Sequence, residues 1–251
     1  MLTGLDLNQL NATFEGAPPE EILRWAVETF WPDIAMSSSF QTQSLPLLHM
    51  VSQVVPQLPV IFLDTGFHFP ETLSFRDQVV RELGLTLRIV RPSLSPAELA
   101  HRYGEGLYRR DPDLCCYVNK VEPMQRALEG LQAWISGIRR DQSPARAHIR
   151  IVERTAQGII RVHPMATWTE RDIARYIHDH NLPEHPLFAQ GYLSVGCAPC
   201  TRPVYGGEPA RAGRWDGQAK LECGLHTLLR EPVKAEVPAE GEAGTGGDEG
   251  L

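Results

Sequence analysis

Four of the five cysteines stand in two close pairs. Cys115 is adjacent to Cys116, and after 80 further residues Cys197 and Cys200 flank two residues in a Gly/Pro-rich loop. A Cys-x-x-Cys turn lets both thiolates face one centre, and four thiolates suit either a structural zinc ion or a [4Fe-4S] cluster. The adjacent pair is unusual for zinc, whose ligand pairs generally lie two to four residues apart. The alternative is that Cys115 and Cys116 are simply two small buried side chains and that Cys197 and Cys200 form a redox dithiol. Two pairs of cysteines in one chain favour a single metal site that all four share.

Cys223 is the remaining cysteine, and its neighbours suit a reactive thiol. Lys220 precedes it and His226 follows it. Nearby cations favour the thiolate, which is the nucleophilic form of cysteine. The sequence therefore predicts a nucleophile at position 223, with an incidental exposed cysteine as the alternative.

Six arginines cluster in the stretch from 139 to 161, with only two acidic residues among them. They are Arg139, Arg140, Arg146, Arg150, Arg154 and Arg161, and the acids are Asp141 and Glu153. Guanidinium groups suit bidentate contact with phosphate or sulfate oxygens. The cluster therefore indicates an anion site, with a solvated charged surface as the alternative.

Hydrophobic periodicity predicts the elements that position these residues. Strands are expected at 34–36, 60–63, 85–90, 134–138, 149–152 and 159–162, and helices at 42–54, 70–83, from 96, at 118–128 and at 169–180. Apolar residues within 5–30 recur at helical spacing, and Pro18-Pro19 before Glu20-Glu21 marks a helix start. Alternating strands and helices imply an α/β fold with a doubly wound, mainly parallel sheet. Beyond 181 the periodicity gives way to an irregular, cysteine-bearing C-terminal segment.

The first strand leads into a serine-rich turn that suits a phosphate. Residues 37–44 read Ser-Ser-Ser-Phe-Gln-Thr-Gln-Ser, and the candidate contacts are Ser37, Ser38, Ser39, Phe40 and Ser44. Backbone N–H groups at a strand-to-helix turn favour an anion. The second strand ends in Asp64-Thr65-Gly66, which supplies a carboxylate for a ribose or adenine group. Neither a Walker loop nor a dinucleotide-binding glycine motif is present.

Composition predicts one domain followed by a tail. The chain has 251 residues, 42% of them hydrophobic, and a net charge of −7. Residues 231–251 hold six acids and one lysine, which leaves about −2 for residues 1–230. We expect a single domain over 1–230 and a disordered acidic tail over 231–251. A nucleic-acid partner is not expected without overall basicity.

The cellular location is expected to be the cytoplasm. The first ten residues lack the basic start and apolar stretch of a secretory signal, and no apolar run approaches the roughly 20 residues that cross a bilayer. The sequence therefore predicts neither a membrane partner nor a disulfide framework. A homo-oligomer is left open.

Together these motifs resemble the assimilatory sulfonucleotide reductases, in particular the cluster-bearing adenylylsulfate reductases. The similarity covers about residues 20 to 228. Its most specific parts are the two cysteine pairs and the run Glu222-Cys223-Gly224-Leu225-His226, supported by 63–66, 69–72 and 137–143.

The resemblance implies an adenine-nucleotide alpha-hydrolase-like sheet, a [4Fe-4S] cluster on the four paired cysteines, and reduction of adenylylsulfate to sulfite and AMP with thioredoxin as reductant. Cys223 would form an S-sulfocysteine, assisted by His226 and by Lys120, which matches the family lysine between cluster and substrate. The residues expected to clamp phosphate and sulfate are Arg139, Arg140, Arg146, Arg211 and Arg214. Residues 203–230 would form a mobile catalytic segment, and 3′-phosphoadenylylsulfate is the alternative substrate.

Two rival functions remain at this point. An ATP pyrophosphatase of the same fold would resemble Ser-Gly-Gly-x-Asp-Ser at the first turn, which residues 37–44 lack. A non-catalytic iron–sulfur or zinc sensor that binds a nucleotide would have no use for the cysteine at position 223.

Overall fold

The computed structural model describes residues 4–218, 220 and 222–225. In this part of the chain six strands form one sheet in the order β3-β2-β1-β4-β6-β5. The strands are β1 (Ile34–Ser37), β2 (Pro59–Leu63), β3 (Thr86–Val90), β4 (Ala133–Ser136), β5 (Val152–Arg154) and β6 (Ile160–Val162). All neighbouring strands are parallel except the antiparallel pair of β5 and β6. The predicted mainly parallel α/β sheet is confirmed.

Helices cover both faces of the sheet. They are α1 (Leu7–Phe14), α2 (Pro19–Phe30), α3 (Leu45–Val54), α4 (Pro70–Leu83), α5 (Pro96–Tyr103), α6 (Leu107–Arg110), α7 (Pro112–Cys116), α8 (Glu122–Leu128) and α9 (Glu170–Asp179). The larger core packs α2, α3, α4 and α9 against one face. A smaller core packs α8 against the other face, around Trp134 and Ile61. Because β1 lies between β2 and β4, the chain order reverses there, which is where doubly wound sheets bind ligands.

Local signals set several helix ends as predicted. Helix α4 runs from Pro70 to Leu83 and ends at Gly84, whose φ of 62° is in the left-handed region that glycine adopts readily. Helices α5 and α9 begin with capping boxes at Ser95 and Thr169, in which side chain and backbone exchange hydrogen bonds.

Two predicted helices begin differently from the expectation. The helix expected at 42–54 opens with a 3-10 turn at Thr42–Ser44 before α3. The helix expected at 118–128 opens with a π-helical turn at Tyr117–Val121 before α8. Turns of this kind inside helices are frequent at functional sites, and this one carries Lys120.

Some expectations fall outside the described residues. These are the catalytic role of His226 and the disorder of the tail over 231–251. Among the residues described, no helix combines the length and apolar character required to span a bilayer.

Candidate active site

A cavity of about 470 Å³ opens at the carboxyl ends of the central strands. Its wall combines the turn after β1, the turn after β4 and the irregular C-terminal segment. Four of the five predicted phosphate-turn residues line it: Ser37, Ser38, Ser39 and Ser44. Nε1 of Trp134 donates a hydrogen bond of 2.8 Å to Oγ of Ser37, which joins β4 to the end of β1.

Phe40 supports the serine turn from behind and does not line the cavity. Its side chain is fully buried and lies edge-on to Phe62, with ring centroids 5.8 Å apart. Its φ is 52°, in the left-handed region, and its N–H donates to Oγ of Ser38 over 3.1 Å. Burial of the ring therefore holds a tight turn whose serines face the cavity.

The predicted Asp64-Thr65-Gly66 turn lies beside the cysteine pairs. Oδ2 of Asp64 accepts from Nε of Arg91 at 3.1 Å, and Oδ1 accepts from the N–H of Gly66. Oγ1 of Thr65 is buried 3.4 Å from Sγ of Cys197. None of these three residues lines the cavity in the described part of the chain. The turn connects the second strand to the cysteine region.

All four paired cysteines line one narrow crevice next to the main cavity. Cys115 and Cys116 come from the end of α7, whereas Cys197 precedes a 3-10 turn (Ala198–Cys200) and Cys200 ends it. Lys120 lines both the crevice and the main cavity.

The charges of these groups affect one another. Burial, together with the charges of the other thiolates, raises the pKa of Cys115 to about 12 and that of Cys200 to about 11. Burial by itself would raise the pKa of Cys197, but Lys120 and the hydroxyl of Thr65 hold it below the ordinary value. Burial would lower the pKa of Lys120, but the thiolates of Cys197, Cys116 and Cys223 raise it. Lys120 is therefore a permanent cation between the crevice and the cavity.

The four thiols do not converge on a single metal ion. No group of three or more His, Cys, Asp or Glu side chains in the described ranges is arranged to hold one. Zinc bound by four cysteines requires every sulfur to lie about 2.3 Å from one atom. A [4Fe-4S] cluster is itself larger and takes one thiolate at each iron. The four thiols around one crevice are the donor set that a [4Fe-4S] cluster takes.

Cys223 lines the main cavity and is held there by its neighbours. Oε2 of Glu222 lies 2.6 Å from Nη2 of Arg146 and 3.0 Å from Nη2 of Arg211, and Oε1 accepts from Oγ of Ser143 over 2.8 Å. On the other side, Leu225 packs against the smaller core. These contacts place the predicted nucleophile within the cavity.

The predicted arginines separate into two groups. Four of them line the cavity: Arg139, Arg146, Arg211 and Arg214. Nε of Arg214 is buried without a hydrogen-bond partner among the residues described, and its guanidinium lies against Gly196, where any Cβ would clash with it. Arg140 instead pairs with Glu15 and donates to the carbonyl of Ile149, away from the cavity.

Sequence reasoning did not select several residues that line the cavity. Arg161, Trp134, Ser136, Gln43, Gln142 and His68 are among them. Arg161 belongs to the arginine cluster of the sequence. The sequence does not show on which face of β6 its side chain lies, so its place in the cavity was not predicted. Glu222 was visible in the sequence run around Cys223, yet two of its partners, Ser143 and Arg146, come from a distant part of the chain.

The fold and site together define an α/β nucleotide-binding class with a cysteine in a cation-lined cavity. Residues 33–203 match the model of the phosphoadenosine phosphosulfate reductase domain. The chain therefore belongs to the phosphoadenosine phosphosulfate reductase family, whose members are oxidoreductases that act on sulfur.

Individual relatives agree with this assignment. The adenosine 5′-phosphosulfate reductase of Streptomyces coelicolor is 44% identical over 84% of this chain and 89% of its own length. The phosphoadenosine 5′-phosphosulfate reductase of Gloeobacter violaceus is also 44% identical, over 88% of this chain and 93% of its own. The crystal structure of phosphoadenylyl-sulfate reductase from Candida auris matches with a TM-score of 0.70 and 33% identity, over 79% of this chain and 97% of that one.

A more distant structural match concerns the fold alone. The FMN adenylyltransferase of Candida glabrata is 18% identical with a TM-score of 0.55, over 74% of this chain and 63% of that one.

Proposed function

We propose that the protein reduces adenylylsulfate to sulfite and AMP through an S-sulfocysteine at Cys223, within assimilatory sulfate reduction. The observation that carries the proposal is the position of Cys223 in a cavity lined by Lys120, Arg211 and Arg214. The substrate carries a phosphate joined to a sulfate, so a thiolate can reach the sulfur only where cations offset the charges of both. Several similar relatives carry the name adenosine 5′-phosphosulfate reductase, as in Streptomyces coelicolor.

The first half-reaction transfers the sulfo group. The thiolate sulfur of Cys223 forms a bond to the sulfate sulfur, while the bond from that sulfur to the bridging phosphate oxygen breaks. The bonding pair leaves with the oxygen of AMP, which needs little acid assistance because a phosphate is a good leaving group. Lys120 and Arg214 would stabilise the charge that moves onto the phosphate. His226, which lies outside the described residues, is the further candidate for this role.

The second half-reaction needs two electrons, and a dithiol of the thioredoxin class supplies them. One donor thiolate attacks the Cys223 sulfur, sulfite departs with the bonding pair of the S–S bond, and a mixed disulfide forms. The second donor thiol resolves it, which regenerates Cys223 and leaves the donor as a disulfide. The reaction is thereby balanced without any other reductant.

The four paired cysteines are proposed to hold a [4Fe-4S] cluster. When bound, the cluster would supply a local electrostatic field beside Lys120 and would hold the two cysteine segments together. Because the dithiol already provides both electrons, no redox step of the reaction requires it.

The serine turn is the proposed site of the nucleotide. Ser37, Ser38, Ser39 and Ser44 would contact phosphate or ribose oxygens, with Arg139 and Arg146 next to them. Asp64, Thr65 and Gly66 are proposed to contribute through the adjacent turn. The proposed unit is a single domain over 1–230 with a mobile catalytic segment at about 203–230, located in the cytoplasm.

A second candidate substrate is 3′-phosphoadenylylsulfate. The relative from Gloeobacter violaceus, which is as similar as that from Streptomyces coelicolor, is named a phosphoadenosine 5′-phosphosulfate reductase. Comparison of kcat/KM for the two nucleotides under the same reductant decides between them.

The mechanism is tested by mixing the purified protein with adenylylsulfate without reductant. We expect one equivalent of AMP and an SO₃ adduct that mass spectrometry maps to Cys223. The matched control is Cys223→Ser, which should bind the nucleotide and release no AMP. Release of AMP with Cys223 unmodified would overturn the proposed mechanism.

A further inference from the structure

We infer that Arg161 contacts the phosphosulfate group of the substrate and that Ser136, His163 and Glu153 position it. This inference rests on the proposed function. It concerns a buried charge on the floor of the cavity, below the segment that carries Cys223.

The strand register places Arg161 on the face of the sheet that lines the cavity with Cys223. Arg161 lies opposite Trp134 of β4 and opposite Glu153 of β5, so the three side chains share one face of the sheet. That face is the one covered by α8 and by Leu225, beside Cys223. Arg161 is 1% exposed and lines the cavity. A charge buried so deeply is stable only where nearby groups pair with it or accept its hydrogen bonds.

Contacts on two sides fix the guanidinium. Its Cζ lies 4.2 Å from the ring centroid of Trp134, within the range of a cation–π contact. Nη2 donates to Oγ of Ser136 over 3.4 Å, and Nη1 lies 4.0 Å from Oε1 of Glu153. Burial lowers the pKa of Arg161 to about 10, with the carboxylate of Glu153 opposing the decrease, so the group remains charged at neutral pH.

A buried relay sets the direction of these hydrogen bonds. Nε2 of His163 lies 3.0 Å from Oε1 of Glu153, and Nδ1 lies 2.9 Å from Oγ of Ser136. His163 is fully buried, and burial lowers its pKa to about 4, so the ring is neutral and carries one proton.

The carboxylate of Glu153 accepts from Nε2, so Nδ1 is an acceptor and takes the hydroxyl proton of Ser136. The Ser136 oxygen is thereby left to accept from Arg161. The chain of hydrogen bonds joins Arg161 through Ser136 and His163 to Glu153, and it holds one orientation of the guanidinium.

The test compares single-turnover transfer of the sulfo group to Cys223 in variants at position 161. Arg161→Met keeps an unbranched stem against Trp134 and removes the buried charge; because loss of one partner of a buried pair costs stability, transfer is compared only in variants shown to be folded. We expect transfer about 100-fold slower, the usual cost of one lost donor to a developing anion. Arg161→Lys should recover part of the rate. The control Arg154→Met removes an exposed arginine of β5, outside the cavity, and should behave as wild type.

The affinity for AMP, measured by calorimetry, locates the contact. Weaker binding of AMP by Arg161→Met assigns Arg161 to the phosphate, and unchanged binding with slow transfer assigns it to the sulfate. Transfer within twofold of wild type in a folded Arg161→Met overturns the inference. If wild type itself forms no adduct, the proposed function fails instead.

The positioning part is tested by His163→Gln, which retains one hydrogen bond of the relay and breaks its continuity. We expect transfer about fivefold slower on its own and no further loss in the Arg161→Met background, because both changes act on one guanidinium. If His163 only stabilised the fold, its effect would be independent of Arg161, and the double variant would lose the product of the two single losses in rate. That result would overturn the positioning role of His163.

Discussion

Glu222 and Arg146 form a bidentate ion pair next to the candidate nucleophile. Oε2 of Glu222 lies 2.6 Å from Nη2 of Arg146, and Oε1 lies 3.0 Å from Nε. Burial by itself would raise the pKa of Glu222, but the hydrogen bonds and charges of Arg146 and Arg211 hold it below the ordinary value. The carboxylate of Glu222 is thus ionised and bound by two arginines, one residue before Cys223.

The first prediction is that Glu222→Gln slows transfer of the sulfo group to Cys223. The neutral amide loses the charge-assisted contacts that hold the segment, so the thiol spends less time at the cavity. We expect single-turnover transfer to fall on the order of 10- to 100-fold, as for a displaced reacting group. Alkylation of Cys223 by iodoacetamide, followed by mass spectrometry, should become faster.

The matched control for this prediction is Glu208→Gln. Glu208 also pairs with an arginine of the C-terminal segment, Arg202, but it lies outside the cavity. Both rates should match wild type there. Equal rates in Glu222→Gln and wild type would show that the ion pair does not position Cys223.

The second prediction separates two arginines that the sequence could not distinguish. Arg140→Gln should leave kcat/KM within about twofold of wild type, because its pair with Glu15 is on the surface and such pairs contribute little. Arg214→Gln should lower kcat/KM about 100-fold, because Arg214 lines the cavity beside Cys223 and its cationic group is removed. Steady-state assays with adenylylsulfate measure both, and equal effects would contradict the assignment.

The third prediction concerns the acid side of the stability profile. Above about pH 6.5 His163 is neutral in both the folded and the unfolded chain and contributes no pH dependence. Below that pH the unfolded chain binds a proton, whereas burial keeps the folded ring neutral down to its pKa of about 4. Unfolding is therefore favoured as the pH falls, by up to about 3 kcal/mol near pH 4.

Thermal denaturation of wild type and His163→Gln between about pH 7.5 and 4.5 measures this difference. The variant has no proton to bind at this position, so its Tm should fall less steeply over that range, whatever its value at the upper end. Parallel curves for the two proteins would show that His163 is not the group responsible.

The order of elements was predictable because its signals are local. Pro70 and Gly84 mark both ends of α4, and Ser95 and Thr169 cap the helices that follow them. The cysteine spacing is equally visible in the sequence. These features depend on residues that are near one another in the chain.

The cavity lining was less predictable because it depends on distant contacts. Arg139 and Arg140 are neighbours, yet only Arg139 lines the cavity, since Glu15 of the N-terminal region draws Arg140 away. Arg161 faces the cavity through the register of a three-residue strand with β4. A strand that short carries too little alternation to indicate which face is buried.

The fourth prediction is that the acidic tail is dispensable. A chain that stops after Glu231 loses Gly, Glu, Ala and Pro residues that have almost nothing to bury, so turnover and Tm should equal those of the full chain. The control chain stops after Glu222 and lacks Cys223, and it should be inactive. A large loss of activity on removal of residues 232–251 would show that the functional boundary lies beyond 231.

The fifth prediction assigns the five cysteines by metal content. Protein purified without oxygen should contain iron and acid-labile sulfide in equal amounts and should absorb broadly in the visible range. Cys116→Ser and Cys200→Ser should lose both elements, because each removes one of four thiolate ligands. Cys223 lines the other cavity, so Cys223→Ser should retain them, which makes it the control within the same residue type. Stoichiometric zinc without sulfide in the wild-type protein would reject the cluster. Loss of iron in Cys223→Ser would show that Cys223 is a cluster ligand and not the free nucleophile.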